Sequence, residues 1–285
     1  MKKFLLNNGQ EIPNSAFGVF LINDPNICEN VVLQAFKAGY RHIDTANAYM
    51  NEKAVGRAMQ KSELAREEIY LTTKIWPSMY STELAKKAID ETLIRLDTSY
   101  IDLLLLHQGY GEYIQAWKVM EEYVQAGKIK AIGVSNFSIP KLERLFKVAK
   151  ILPVVNQIEA HPYHQQHEMQ EYLSEKNIFI ESWYPLGHGD PKLLSEKLFT
   201  ELAKKYNKTN AQIILRWHIQ SGKIVIAKST NPIHIRENYD IYDFELTAEE
   251  MQALAKLDKK KPYYIVTEED SHGFANMQFD FNNQI

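Results

Sequence analysis

The sequence predicts an α/β fold, a closed (β/α)8 TIM barrel with a β-hairpin capping its N-terminal end. Two observations predict it. Eight short apolar runs of β type recur along the 285 residues, with longer amphipathic stretches between them. No composition break, glycine/serine linker or low-complexity tract divides the series. Alternating strand and helix patterns build a parallel sheet with helical crossovers, and eight repeats favour closing that sheet on itself. A hydrophobic content of 45% is enough for a sizeable core. One domain over residues 1–285 is expected, with 259–285 as a loop or tail over the pocket.

In chain order, residues 4–12 (FLLNNGQEI) read as the hairpin, with Asn8 and Gly9 supplying the positive φ angles of a tight turn. The strand candidates are 18–20, 41–44, 69–74, 100–107, 129–134, 154–159, 178–182 and 224–229. Among the helical stretches, 81–96 is typical: Leu84, Ala85, Ala88, Leu93 and Leu96 recur at helical spacing. Ser81 and Glu83 mark its start. A helix over 247–258 precedes the tail, which has no clear period. There Phe274, Met277 and Phe279 pin the segment down or line a pocket.

Charge narrows the partners. A net charge of -3 and a pI near 6.3 provide no basic field for nucleic acid or an anionic membrane, so a small molecule is expected. Cys28 is the only cysteine, which rules out an internal disulfide and a cysteine-based zinc site. It reads as a small side chain on the first helix. The opening MKKFLLNNGQEIP has too few apolar residues for a signal-peptide core, and no apolar run reaches membrane-spanning length. A cytoplasmic monomer is the expectation.

Active sites of such barrels form at the C-terminal ends of the strands. Asp44 ends the second candidate strand, Lys74 the third and His107 the fourth, while Tyr49 follows Asp44 by five positions. Singly, each has an ordinary structural role; together they make acid–base equipment. A phenol has a reference pKa of about 10. A neighbouring ammonium lowers that value, and a carboxylate holds the ammonium charged and in place. Tyr49, Lys74 and Asp44 then form a tuned proton donor, and His107 orients a carbonyl oxygen. Another reading rests on HPYHQQH, where His161, His164 and His167 suggest an imidazole cluster for a metal-dependent barrel hydrolase.

The segments carrying these residues resemble the aldo-keto reductase family over nearly the whole chain. GYRHIDTANAYMNE, YIDLLLLH, GKIKAIGVSNF, VNQIEAHPY and IAKS stand in that family's order and spacing. The resemblance implies a barrel that binds NADPH in extended form without a Rossmann domain and reduces aldehydes or ketones, small dicarbonyls and sugar-derived or xenobiotic carbonyls among them. NADH use stays open. Consistently, no G-x-G-x-x-G follows a strand. By resemblance Tyr49 is the general acid, Lys74 and Asp44 its partners, and His107 the substrate-orienting group. Ser135, Asn136 and Gln157 match the carboxamide-binding positions, and Trp183 the aromatic that stacks on the nicotinamide. Leu186, Gly187 and Asp190 match the loop beside the pyrophosphate. Lys228 and Ser229 match the contacts to the 2'-phosphate, and Glu237 and Asn238 those that hold adenine.

One departure stands out. Where the family commonly has an arginine beside the adenine and 2'-phosphate, this sequence has His234, with Arg236 two residues on. A mostly neutral imidazole attracts a phosphate dianion less than a guanidinium fork does. Phe20, Trp76, His107 and Tyr110 match or neighbour pocket-lining positions. The short stretch 108–111 implies an open pocket and broad substrate choice. HisProTyr belongs to the family pattern, which weakens the metal reading. A nonenzymatic nucleotide-binding regulator is a further alternative, but a pure sensor need not keep the set Asp44, Tyr49, Lys74 and His107.

Overall fold

The computed structural model describes residues 2–277 and 279–284. Strands β1 (Lys3–Leu5) and β2 (Glu11–Pro13) pair antiparallel as a separate two-stranded sheet. Their turn differs from the expected one in detail. Gly9 alone is left-handed, with φ +81°, while Asn8 is not. Gly9 N–H donates to Leu6 O at 3.0 Å, and Leu6 N–H to Gln10 O at 2.8 Å. A three-residue connection of this kind needs only one residue at positive φ, whereas the two-residue turn needs two. Leu6 and Ile12 bury against Leu103, Leu105, Ala131, Val155 and Ile224, so the hairpin closes the N-terminal end of the barrel.

The barrel strands are β3 (Ser15–Gly18), β4 (His42–Asp44), β5 (Tyr70–Ile75), β6 (Ile101–Leu106), β7 (Ile129–Ser135), β8 (Val155–Glu159), β9 (Phe179–Trp183) and β10 (Ile224–Ala227). All pair parallel, and β10 bonds to both β3 and β9, which closes the ring. The first barrel strand is earlier than the apolar run at 18–20 suggested. Ser15 is buried within it and Val19 already belongs to the loop, where its N–H reaches Asp44 O at 3.1 Å. Polar Asn14 and Ser15 mask that strand in a hydropathy pattern. The last strand stops at Ala227, leaving Lys228 and Ser229 in the loop beyond it.

Helices α1 (Pro25–Ala38), α2 (Glu52–Lys61), α3 (Thr82–Arg95), α4 (Tyr113–Gln125), α5 (Ile139–Phe146) and α6 (His167–Ser174) cross over between the first strands. After β9 come α7 (Pro191–Leu194), α8 (Lys197–Tyr206) and α9 (Asn210–Gln220); after β10 come α10 (Pro232–Tyr239), α11 (Ala248–Ala255) and α12 (Glu268–Asn276). Cys28 is buried on α1. Ser81 caps α3 by accepting from Leu84 N–H, and Ala85, Ala88, Leu93 and Leu96 are buried. Leu84 departs from the expected stripe and is 40% exposed. At about 100° per residue it lies about 40° from Ala88 but about 100° from Ala85, at the edge of the buried face.

The tail contains a helix that periodicity did not reveal. Thr267 Oγ accepts from Asp270 N–H at 3.1 Å, and the Asp270 carboxylate accepts from Thr267 N–H at 3.0 Å, a reciprocal cap at the start of α12. Thr-Glu-Glu-Asp at 267–270 was the local signal for it.

Packing inside the barrel is close at Gly133, where a Cβ would meet Leu105 Cδ2 at 2.7 Å, Val155 Cγ2 at 2.9 Å and Val155 O at 3.0 Å. Gly133→Ala therefore overpacks the wall, and urea unfolding should show a loss of about 1–3 kcal/mol. An unchanged midpoint would mean that the strands yield without cost.

Candidate active site

Asp44 closes β4, Lys74 lies in β5 and His107 directly follows β6, so three strand ends face one mouth. Tyr49 is brought there by a 3-10 turn, Asn47–Tyr49. Asn51 fixes that turn from behind. Its amide donates to Val19 O at 3.0 Å and Ile22 O at 3.2 Å, and it accepts from Thr45 Oγ1 at 2.8 Å. The Lys74 ammonium donates to Asp44 Oδ1 at 2.7 Å, to Thr45 O at 2.8 Å and to Tyr49 OH at 3.3 Å. The rings of Tyr49 and His107 meet edge to face, with centroids 5.5 Å apart.

Burial sets the electrostatics. Alone it would pull Lys74 down, but Asp44 and Tyr49 outweigh it and hold the ammonium above its usual range. For Tyr49 the balance goes the other way from the sequence-based expectation. Desolvation pushes the phenol up to about 12; Lys74 pulls it back and Asp44 adds to the rise. Tyr49 is thus a firmly protonated donor rather than a partly ionised one. Burial, and secondarily Lys74, drives His107 well below the ordinary imidazole range, so its ring is neutral. His107 Nδ1 is buried without a hydrogen-bond partner among the described residues.

Beside these groups the strand ends β7 to β9 form a second cluster. Asn136, at φ +60°, donates to Ser135 Oγ at 3.2 Å and to His107 O at 3.3 Å, and accepts from Trp183 Nε1 at 3.1 Å. Ser135 Oγ donates to Gln157 O at 2.9 Å. Gln157 spends both amide hydrogens inward, on Asp44 Oδ2 and Glu181 Oε2, each at 2.8 Å. Only its carbonyl oxygen is left for the cleft. Glu181 was missed by strand-end reasoning because it lies one layer below the rim, inside IFIES.

Lining the mouth, Trp76 packs on His107 at 4.9 Å, on Phe274 at 5.4 Å and on Phe279 at 5.7 Å, and donates to Phe274 O at 2.9 Å. Tyr110 touches Phe274, and Phe20 lies 4.9 Å from Tyr49. The short 108–111 stretch does not leave the mouth open as expected. Trp76 and His107 are each only 8% exposed, because the tail with α12 lies over them. Phe274 both pins the tail and lines the mouth, whereas Met277 is 43% exposed.

A model of the aldo/keto reductase family matches residues 23–259. The chain belongs to this family. It is an oxidoreductase of the carbonyl-reducing kind, and its relatives cover nearly its full length. A 9,11-endoperoxide prostaglandin H2 reductase of Trypanosoma cruzi is 42% identical over 90% of this chain and 91% of its own. A glyoxal reductase of Bacillus subtilis is 43% identical over 89% of this chain and 92% of its own. The solved structure of a Bombyx mori aldo-keto reductase in complex with NADP superposes with a TM-score of 0.88 at 31% identity, covering 96% of this chain and 98% of its own.

The nucleotide positions inferred for an aldo/keto reductase lie along the same rim. Leu186 and Gly187 turn the chain after β9, and Gly187 N–H bonds Tyr184 O at 2.8 Å. Asp190 caps α7 through Lys192 N–H and is gripped by the Tyr263 hydroxyl, a tail contact the sequence did not suggest. Glu159 anchors the same tail, accepting from Tyr263 N–H at 2.6 Å and Tyr264 N–H at 3.0 Å. Lys228 is exposed and free of side-chain partners among the described residues, and Ser229 accepts from Asn231 N–H. On α10, Asn238 is buried, Glu237 half-buried and His234 exposed. Two residues span about 200° of helix, so Arg236 points to nearly the opposite side from His234.

The three histidines of HPYHQQH are engaged separately. His161 Nε2 meets Glu159 at 3.1 Å, His164 Nε2 meets Gln166 at 2.8 Å, and exposed His167 stands 3.8 Å from Asp258. Among the described residues no group of three or more His, Cys, Asp or Glu side chains could hold a metal ion, which removes the geometric basis of the hydrolase reading. No described helix is long and apolar enough to cross a membrane.

Lys74 and Asp44 are both buried, so removing one strands the other. Lys74→Met should lower unfolding free energy by about 3–5 kcal/mol, and Asp44→Asn in the same chain should restore part of it. A single variant as stable as the parent would show that the pair is not held in a desolvated site.

Proposed function

We propose that the protein reduces small aldehydes and ketones, dicarbonyls such as glyoxal among them, with NADPH as reductant and Tyr49 as general acid. One observation carries this reading: a buried ammonium joins the Asp44 carboxylate to the Tyr49 hydroxyl beside a neutral His107. The cleft chemistry fits a nicotinamide nucleotide. Gln157 Oε1 and Ser135 Oγ are acceptors for a carboxamide N–H, Asn136 Nδ2 becomes a donor for its oxygen on releasing Ser135 Oγ or His107 O, and unpartnered Lys228 suits a phosphate. When bound, the reduced nucleotide supplies the electron pair and hydrogen that reach the carbonyl carbon.

This chain's residues do the rest. His107 donates its imidazole N–H to the carbonyl oxygen and orients it. As charge builds on that oxygen, the Tyr49 proton moves to it and the alcohol forms. Lys74 stabilises the phenolate left behind, with Asp44 keeping the ammonium in register. Trp183 presents a flat indole face for the nicotinamide ring. Leu186, Gly187 and Asp190 flank the pyrophosphate, Ser229 adds to Lys228 at the 2'-phosphate, and Glu237 and Asn238 hold adenine. Phe20, Trp76 and Tyr110 shape an apolar pocket, and Phe274 and Phe279 of the tail exclude water from it. Each of these groups comes from the same barrel mouth, so a single one-domain chain makes a complete site. The B. subtilis relative named a glyoxal reductase supports the dicarbonyl class.

Tyr49→Phe should cut turnover of glyoxal by about 10²–10⁴-fold, the range of a lost general acid, while NADPH affinity stays within about twofold. Near-normal turnover would sink the assignment. His234→Arg should raise the preference for NADPH over NADH by about two- to fivefold, the range of an exposed ion pair. Equal affinity ratios in both proteins would show that position 234 does not read the phosphate.

A further inference from the structure

A second carboxyl group lies beneath the reacting groups, and the mechanism above does not use it. Glu181, on β9, is fully buried. Its Oε2 accepts from Gln157 Nε2, whose other hydrogen goes to Asp44. Strands β8 and β4 are not neighbours in the ring, so Gln157 ties the two carboxyl groups together across the barrel interior. Glu181 Oε1 has no hydrogen-bond partner among the described residues and faces His42 Nε2 at 3.7 Å.

The state of His42 decides what Glu181 can be. His42 Nδ1 is 3.3 Å from Pro13 O, an atom that can only accept, so Nδ1 carries the hydrogen. Burial pulls the imidazole down to about 3, so the ring is neutral. Nε2 is then a lone pair, accepting from Thr72 Oγ1 at 2.8 Å. A carboxylate at Glu181 would aim an unpaired charged oxygen at that lone pair. A carboxylic acid removes that repulsion, since a neutral hydroxyl then stands where the unpaired charge would be.

The charges around Glu181 agree. From β4 it is faced by neutral His42 and by the Asp44 anion, and from β5 by Lys74 and the Tyr70 phenol. From β8 comes neutral Gln157, and on β10 its register partner is Ile224. Lys223, next along, turns its ammonium to Gln170. Lys74 is the one cation in this set, and it is already bonded to Asp44. Burial, and after it Asp44, raises Glu181 to about 8, with Gln157 and Lys74 pulling it back.

We propose that Glu181 is a positioning residue held as the neutral acid at neutral pH, and that its ionisation weakens Tyr49 as a proton donor through Gln157 and Lys74. The proposal rests on Tyr49 being the acid. While Glu181 is neutral, the field of Lys74 serves Asp44 and Tyr49 alone. An anion at Glu181 draws on the same ammonium, disfavours the Tyr49 phenolate that forms on proton transfer, and competes for the Gln157 amide hydrogens.

Infrared titration with 13C-carboxyl glutamate tests the protonation directly, in the wild-type protein and in Glu181→Gln. The amide of the variant accepts from Gln157 and is uncharged at every pH, preserving the neutral arrangement. The wild type should show a protonated carboxyl band at pH 6.5 that disappears on titration through about 8 and is missing from the variant. Turnover, normalised to each protein's own value at pH 6.5, should fall about tenfold by pH 9 in the wild type and lack that inflection in the variant. Stability should follow the sign of a raised carboxyl. The folded state keeps a proton that the unfolded chain releases above about 4.5, so the stabilisation drains as pH rises through about 8. The wild-type melting temperature should therefore drop more between pH 6.5 and 9 than that of Glu181→Gln. Absence of the titrating band in the wild type, or superimposable pH profiles, overturns the proposal. The band is assigned to Glu181, rather than to buried Glu52, by its absence from the variant, and it needs no active enzyme. A fully active Tyr49→Phe would thus refute the general acid while the infrared result still decides Glu181's protonation.

Discussion

The buried ammonium of Lys74 is the constraint on which the rest of the mouth depends. A lysine with no solvent exposure loses its hydration, a cost of several kcal/mol that only close oxygens can offset. Asp44, Thr45 O and Tyr49 OH are those oxygens. To supply them the chain must end β4 at Asp44, bend at once into a 3-10 turn and keep that turn from moving, which is why Asn51 is tied to two carbonyls of the preceding βα loop. The same arrangement that satisfies the ammonium delivers the phenol. Folding and the proton donation proposed for Tyr49 therefore draw on one set of contacts.

That constraint divides the barrel interior. Lys74, Asp44, Gln157 and Glu181 form one hydrogen-bonded chain in the layer under the mouth, and the His42–Thr72 pair packs beside it. Leu103, Leu105, Ala131, Val155 and Ile224 fill an apolar layer against the hairpin. A polar network in a low dielectric must be satisfied almost completely, and each member limits the charge state of the next. With one ammonium and two carboxyl groups in the layer, neutrality requires that one carboxyl keep its proton. Glu181, facing a lone pair rather than a donor, is the one placed to do so.

Much of this was legible in the sequence, and the exceptions share a cause. Seven of the eight strands stand within a residue or two of the expected runs, because each keeps β-branched or other apolar residues among its polar ones. The first escaped because Asn14 and Ser15 are buried polar residues. Asp44, Lys74 and His107 could be collected because strand ends are recognisable, and Tyr49 because it follows one closely. The direction of the Tyr49 shift was not legible. It depends on how far burial outweighs Lys74, and that burial comes from Phe20, His107 and the first strands, which only the closed barrel brings around the phenol. The Tyr263 grip on Asp190 and the Glu159 anchor of the tail are likewise long-range, and no local pattern marks them.

The two ends of the cleft then obey different electrostatics. At the acid–base end every charge is desolvated and bonded at fixed distance, so its behaviour is a property of the fold and changes only when packing changes. At the opposite end Lys228, His234 and Arg236 stand in solvent, where interactions are weak, screened by salt and tolerant of substitution. Under the proposed assignment of that rim to the 2'-phosphate, His234 in place of an arginine changes how strongly the phosphate is attracted while leaving the protonation of Tyr49 untouched. The departure from the family pattern sits where the structure absorbs it at least cost, and the residues around Lys74 are those with no such freedom.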